Sequence, residues 1–251
     1  MTMKNFIIYF ILPVILSVMC SCGSKTTIST KKFSPISLIN KVEFFDPQYD
    51  WDKIGCGFLL KYKTDTFVVT AQHILKFART DSMKYLTIKG FVKKWSLHQL
   101  NKENERVIVD DLLNENKAQK IKPDYRFTED WLVFSIKENN SKVQPVEMRE
   151  TPLIKGEKLY IVGWTRHMTE GEQRTYEYKY YKSKGSHFLM KDVIVPEKYG
   201  GLSGSPVLDE NGLLVGIASS STFEITALKR LFSPCKIDSL KIFLDNYLKN
   251  K

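Results

Sequence analysis

Tyr199-Gly200-Gly201-Leu202-Ser203-Gly204-Ser205-Pro206-Val207 is the stretch on which the reading of this chain turns. A serine set between glycines at the mouth of an apolar run is how a hydroxyl is presented on a tight turn. Glycine lets the backbone adopt φ > 0 and come close to a reacting carbonyl. The N–H groups of Gly201 and Ser203 then converge on one spot, where they can hold a developing oxyanion. Taken alone, the pattern also describes an ordinary glycine-rich turn between two strands, so the flanking segments decide.

Downstream, Asp209-Glu210-Asn211-Gly212 is a turn, and Leu213-Leu214-Val215-Gly216-Ile217-Ala218-Ser219 completes a hairpin with the run that follows the serine. Upstream, Gly156-Glu157-Lys158 leads into the strand Leu159–Trp164. Tyr176, Tyr178 and Tyr180 recur with a period of two, the mark of a half-buried strand face. A first set of strands begins at Val42-Glu43-Phe44-Phe45. Gly55–Tyr62 and Thr66–Thr70 form a hairpin across Lys63-Thr64-Asp65, and it delivers Ala71-Gln72-His73-Ile74-Leu75. Residues 85–95 and 106–109 read as short strands, and the charged stretch from His98 to Tyr125, with Pro123, as a surface excursion. Thr128-Glu129-Asp130 introduces the buried strand Trp131–Ile136, and Lys137–Gln144 reads as a crossing between halves.

The last segment changes to helical period. Ser233 suits a cap and Pro234 the first helical position, while Ile237, Leu240, Phe243, Leu244, Tyr247 and Leu248 share one face. Many short strands without alternating βαβ units, followed by one helix, make the fold all-β, a sandwich or a pair of barrels. The expected organisation is a first β unit over 42–140, a second over 145–228 and a terminal helix over 233–251.

The 251 residues carry a net charge of +10, with 43% hydrophobic and 26% charged residues, the composition of an ordinary globular protein. The lysines are scattered, and no zinc-finger spacing, RNA-binding signature or phosphate loop accompanies them. Nucleic acid is therefore not an expected partner; a basic surface lying near anionic lipid is. Lys4 followed by the apolar run Phe6–Leu16, broken by Pro13, is too short to span a membrane and suits an export signal over residues 1–21. Met19-Cys20-Ser21-Cys22-Gly23-Ser24 resembles the lipobox of bacterial lipoproteins, and small Ser21 makes Cys22 rather than Cys20 the expected lipidation site. Residues 22–41, polar and patternless, read as a tether. The location implied is the cell envelope, lipid-anchored at the periplasmic or outer-membrane face. Cys56 and Cys235 remain for the folded body, as one bridge or as two buried thiols.

His73, Asp130 and Ser203 now stand out, each at a strand end where loops carry chemistry. A serine hydroxyl is a poor nucleophile until a base takes its proton. Neutral imidazole does so near pH 7, and a buried carboxylate fixes its tautomer. Val69-Thr70-Ala71-Gln72-His73 resembles the histidine motif of chymotrypsin-like serine proteases, Asp130-Trp131-Leu132-Val133-Phe134 their aspartate motif, and Gly201–Val207 with Gly216-Ile217 their serine motif. The order His, Asp, Ser is that family's and differs from subtilisins and α/β-hydrolases. The resemblance covers about residues 42–228 and is nearest to the bacterial branch of glutamyl endopeptidases and high-temperature-requirement proteases.

The resemblance implies two antiparallel six-stranded barrels with a cleft between them, and a serine endopeptidase acting on polypeptides without metal or cofactor. It makes Ser203 the nucleophile, His73 the base, Asp130 its orienting group, and the N–H groups of Gly201 and Ser203 the oxyanion hole. Leu202 stands where digestive proteases carry an aspartate that pairs with a freshly cut N-terminus, so activation of that kind is not implied. Ala218 replaces the histidine that glutamyl endopeptidases carry after Gly-Ile. Glu197, six residues before Ser203, is a candidate attractor of Lys or Arg. His98, His167 and His187 read as surface or structural. A protease-fold lipoprotein that binds peptides or an envelope partner without cleaving them is the alternative, and an esterase a third reading disfavoured by the missing nucleophile elbow.

Overall fold

The computed structural model describes residues 29–121 and 129–251. The export signal, Cys20, Cys22 and Pro123 lie outside the described residues. The strands, in chain order, are β1 (Ser37–Phe44), β2 (Cys56–Tyr62), β3 (Asp65–Thr70), β4 (Tyr85–Leu86), β5 (Val92–His98), β6 (Arg106–Leu112), β7 (Asn116–Lys120) and β8 (Leu132–Asn139). They continue as β9 (Val146–Glu147), β10 (Lys158–Gly163), β11 (Arg174–Lys184), β12 (His187–Ile194), β13 (Pro206–Leu208), β14 (Leu214–Glu224) and β15 (Lys229–Lys236), and the chain ends on helix α1 (Asp238–Lys249).

Six of these strands, in the order β1-β5-β6-β8-β3-β2, pair antiparallel and close through β1–β2, with β9 added in parallel beside β2. A second closed antiparallel barrel runs β10-β11-β12-β15-β14-β13. The expected pair of six-stranded barrels with a terminal helix is therefore present, and closure removes the exposed edges that an open sheet would leave. Each barrel has its own core: Leu38, Leu59, Val68, Trp95, Leu132 and Phe134 fill the first. Leu159, Ile161, Tyr176, Tyr178, Phe188 and Val207 fill the second.

A third apolar cluster lies between the barrels, where Phe58, Val69, Trp131 and Val133 meet Val162, Leu208, Leu214 and Ile217. Since neighbouring residues on a strand face opposite ways, Val68 points into the first barrel while Val69 points into the seam, as do Leu132 and Val133 in turn. That double burial is why Phe67-Val68-Val69 and Trp131-Leu132-Val133-Phe134 are unbroken apolar runs. The helix lays Leu240 and Leu244 on the same seam, and the Trp131 indole N–H donates to Ser239 Oγ at 3.0 Å.

Three boundaries differ from the expectation. β1 begins at Ser37, inside the stretch assigned to a tether, because Leu38 and Ile39 are buried and Ser37 pairs with Phe58. Ser233 and Pro234 belong to β15, and the helix starts at Asp238 without a side-chain cap. Proline is tolerated there because the β14–β15 register shifts between Ile217 and Ser220, opposite that point. The remainder of β6 and all of β7 fall within the segment read as a surface excursion.

Candidate active site

Strands β3 and β8 are neighbours, with Thr70 opposite Leu132, so the residues just past the end of β3 and just before β8 share one end of the barrel. After Thr70 the chain enters the 3-10 helix Gln72–Lys76, whose Ile74 and Leu75 plunge into the first core. Burying those two turns His73 outward, toward the seam. The His73 backbone N–H donates to Asp130 Oδ1 at 2.8 Å, and its Nδ1 lies 2.7 Å from Asp130 Oδ2. His73 Nε2 lies 2.7 Å from Ser203 Oγ. The structure thus brings together all three residues singled out in the sequence, across the two barrels.

Asp130 is buried, its side chain only 3% exposed, against 18% for His73. Burial pushes the Asp130 carboxyl up, but the adjacent imidazole, its N–H groups and the Ser219 hydroxyl outweigh that and hold it below the usual carboxylate range. With Asp130 ionised, Nδ1 carries the proton of the 2.7 Å contact, and Nε2 presents a lone pair to the Ser203 hydroxyl. Behind the carboxylate, the Asp130 N–H donates to Cys235 Sγ at 3.3 Å. Burial pushes the Cys235 thiol up to about 12, so it stays neutral beside Asp130.

The turn that carries Ser203 needs glycine at two positions. Gly201 has φ +103°, and a Cβ there would lie 2.4 Å from the Arg166 nitrogen. Gly204 has φ +83°, and a Cβ would lie 2.1 Å from the Cys56 carbonyl oxygen. Both barrels grip the turn. Cys56 N–H donates to Ser203 O at 2.7 Å, Arg166 N–H to Gly200 O at 2.6 Å, and Gly204 N–H to Ala218 O at 2.8 Å. Among the described residues, no acceptor is engaged by the N–H of Gly201 or of Ser203. Both N–H groups belong to the turn that carries the Ser203 hydroxyl.

The other groups weighed from sequence stand apart. His98 is buried with Nδ1 2.8 Å from Gln99 O, and His167 is exposed. His187 contacts Ser186, and burial lowers its pKa. Ser205 is buried beneath Gly163. Glu197 is exposed and makes no ion pair among the described residues, so it does not form a buried specificity acid; its neighbour Tyr199 stacks on Phe232 at 5.8 Å. Cys56 and Cys235 are both free, buried thiols, which resolves the two alternatives.

Sequence reading missed three supports. Ser219, weighed only as a rival hydroxyl, donates to Asp130 Oδ2. Arg166 braces the Ser203 turn through its backbone N–H, which no side-chain pattern announces. Asn40, assigned to the tether, is buried and donates to Cys56 O at 2.8 Å and Thr70 Oγ1 at 3.1 Å, while accepting from Trp95 Nε1 at 3.0 Å.

A comparison with curated protein sequences gives no match. Among solved structures, neuropsin, a serine protease expressed in the limbic system of mouse brain, is similar with a TM-score of 0.55 and 17% identity, over 86% of this chain and 95% of that one. The inactive form of a serine-to-alanine mutant of Rv3671c from M. tuberculosis gives 0.48 and 11%, over 83% and 85%. At these identities the likeness to neuropsin speaks for the fold. The model of the trypsin-like peptidase domain matches residues 55–217. That span holds His73, Asp130 and Ser203 together with the strands that position them, and the chain belongs to the trypsin-like peptidase domain family.

Proposed function

We propose that this chain is a serine endopeptidase that cleaves polypeptides through an acyl-enzyme. The observation that carries the proposal is the unbroken line Ser203 Oγ–His73–Asp130, with both links at 2.7 Å and Asp130 buried at its end. Ser203 Oγ attacks the scissile carbonyl carbon while His73 Nε2 takes its proton. The carbonyl oxygen becomes an oxyanion held by the N–H groups of Gly201 and Ser203. As the C–N bond breaks, Nε2 returns the proton to the leaving amine, which departs with a new N-terminus. Water then loses a proton to Nε2 and attacks the acyl ester, releasing the carboxylic acid and restoring Ser203. Asp130 holds the productive tautomer throughout and offsets the positive charge that the ring acquires. Ser203 leads into strand β13 rather than a helix, so the geometry is unlike an esterase elbow.

The export signal over residues 1–21 and the lipobox at Cys22 support a lipid-anchored location in the cell envelope, with β1 beginning a short way after the acylated residue. A fluorophosphonate probe followed by peptide mapping tests nucleophile and competence together. Label on Ser203 is expected, and a folded sample that stays unlabelled at neutral pH would favour the peptide-binding alternative. Ser203→Ala or His73→Ala should lower casein hydrolysis by about 10⁴-fold or more. Globomycin-sensitive processing, lost in Cys22→Ala, tests the anchor.

A further inference from the structure

Strands β14 and β15 continue in register beyond the body of the second barrel, through Phe223↔Arg230 to Glu224↔Lys229. The hairpin closes on the 3-10 turn Ile225–Ala227. Three large apolar side chains stand in water at its end: Phe223 at 53%, Ile225 at 76% and Leu228 at 80% exposure. Elsewhere the apolar residues of these strands are buried, Leu231 fully and Phe232 nearly so. The tip is therefore a local concentration of exposed hydrocarbon on a paired hairpin, not a frayed core.

Cations ring that tip. Lys182 Nζ lies 2.9 Å and Lys184 Nζ 3.5 Å from the Glu224 carboxylate, which sits between Phe223 and Ile225 and is itself 7% exposed. The lysine side chains remain 41% and 48% exposed. The Tyr181 hydroxyl is 3.1 Å from Thr226 Oγ1, and Lys155, Lys182 and Lys191 gather over the Tyr181 ring at 5.6, 5.4 and 4.5 Å. Lys229, held to Asp192 at 3.7 Å, and Arg230 complete the ring on β15. Set against Glu224 and Asp192, this collar carries an excess of positive charge.

A protein groove would have to cover lysine side chains that stay 41% and 48% exposed around a hairpin end lying beyond the Met190–Phe232 pair to β12. An apolar point inside a basic collar instead matches the layering of an anionic bilayer, with acyl chains beneath phosphate headgroups. We propose that the β14–β15 tip is a membrane-contact site in which Phe223, Ile225 and Leu228 enter an anionic phospholipid bilayer while the collar lies among its phosphates. The contact depends neither on the peptidase chemistry nor on an acylated Cys22. It also fixes orientation: Ser219, beside Asp130, is five residues along β14 from Glu224, which puts the cleft about 17 Å from the tip at ~3.3 Å per residue. Peptide segments close to the bilayer surface would be the ones within reach.

The test uses the full chain carrying Leu228→Trp, on vesicles of phosphatidylcholine with or without phosphatidylglycerol, with acyl chains brominated or not. Wild type supplies the baseline from Trp51, Trp95, Trp131 and Trp164. On vesicles containing phosphatidylglycerol, brominated chains should quench roughly half or more of the added emission, with the effect fading as salt is raised. On phosphatidylcholine alone, the quenching should be weak even if the N-terminal segment holds the protein to the vesicle. Ile225→Asp combined with Leu228→Asp should lower partition about tenfold or more without changing the near-ultraviolet circular dichroism. Added emission indifferent to bromine on anionic vesicles overturns the proposal. So does emission that changes with protein concentration when no vesicle is present, which would make the tip a contact between copies of the chain. A Cys22→Ser chain that keeps the quenching but loses stable attachment would leave the tip standing and locate the failure in the anchor.

Discussion

Replacing Asp130 by asparagine probes the site at its most buried point, and the consequences can be worked from donors and acceptors. The carboxylate receives three donors: the His73 backbone N–H at 2.8 Å, His73 Nδ1–H at 2.7 Å, and the Ser219 hydroxyl. An amide offers one oxygen and one NH₂. If its oxygen faces the ring and Ser219, the NH₂ confronts the His73 peptide N–H, which is fixed in the 3-10 helix and cannot turn away. If its oxygen faces that N–H, the NH₂ confronts Nδ1, and the ring must move its proton to Nε2. Ser219 can rotate its hydroxyl to accept, so the second arrangement is the cheaper one. It points an N–H at Ser203 Oγ and leaves no lone pair to receive the serine proton. Loss of the base in this way costs about 10⁴ in kcat, or roughly 5.5 kcal/mol of barrier. The fold should lose only about 1–3 kcal/mol from imperfect pairing. Single-turnover acylation of a peptide ester, measured beside urea unfolding, separates the two effects. A folded Asp130→Asn protein with kcat within tenfold of wild type would refute the assignment of tautomer and base.

Gly204→Ala places a methyl 2.1 Å from the Cys56 carbonyl oxygen and 2.4 Å from Thr70 Oγ1 at a φ of +83°, so the barrels must part. Its urea unfolding free energy should fall by on the order of 3 kcal/mol, and an unchanged midpoint would contradict the packing. Gln173 accepts from Ile36 N–H at 3.0 Å and Ser37 N–H at 2.9 Å and donates to Ser34 O at 2.7 Å. Gln173→Ala should therefore speed limited proteolysis near Ser34, whereas Gln173→Glu, which keeps the acceptor, should fall between alanine and wild type. Because the folded Asp130 pKa lies below its unfolded value, its stabilisation is complete above the ordinary carboxylate range. It is lost as pH falls through the folded value. Wild-type stability should thus drop on acidification more steeply than that of Asp130→Asn, as followed by urea midpoints; parallel curves would count against a depressed Asp130.

What the sequence revealed and what it hid have physical explanations. Runs such as Phe67-Val68-Val69 and Trp131–Phe134 announce strands because both of their faces are buried, one in a barrel and one in the seam. The three catalytic candidates were legible because glycines and a strand–turn register are local requirements. Strand β15 was not: Ser233-Pro234 carries the local chemistry of a helix start, and only the long-range pairing of Cys235 with Ile217 and Ser233 with Ser220 makes it a strand. Ser37 and Asn40 look like tether residues because they are polar. Asn40 is buried all the same, since its amide meets Cys56, Thr70 and Trp95 at once. Ser219 has no motif because its role is defined only by the arrival of Asp130 from the other barrel.

That last contact bears on how a seam can hold a reacting geometry. The surface between the barrels is apolar, built on Phe58, Val69, Val133, Val162, Leu214 and Ile217. Apolar burial brings the two bodies together but is non-directional, and it would tolerate a slide of an ångström. Catalysis would not, since Nε2 and Oγ must stay within hydrogen-bond reach. Directional bonds across the seam remove that freedom: Cys56 N–H to Ser203 O, Asp130 N–H to Cys235 Sγ, and Ser219 Oγ–H to Asp130 Oδ2. On the first-barrel side, Asn40 and Thr70 both bind the Cys56 carbonyl, fixing the peptide whose neighbouring N–H holds Ser203. Two of the three cross-links end on Asp130 itself. A slide of the barrels would therefore take Ser219 from the carboxylate and Cys235 from the Asp130 N–H while both groups are still buried, which is costly. The same group that orients His73 thus resists the motion that would misalign it from Ser203.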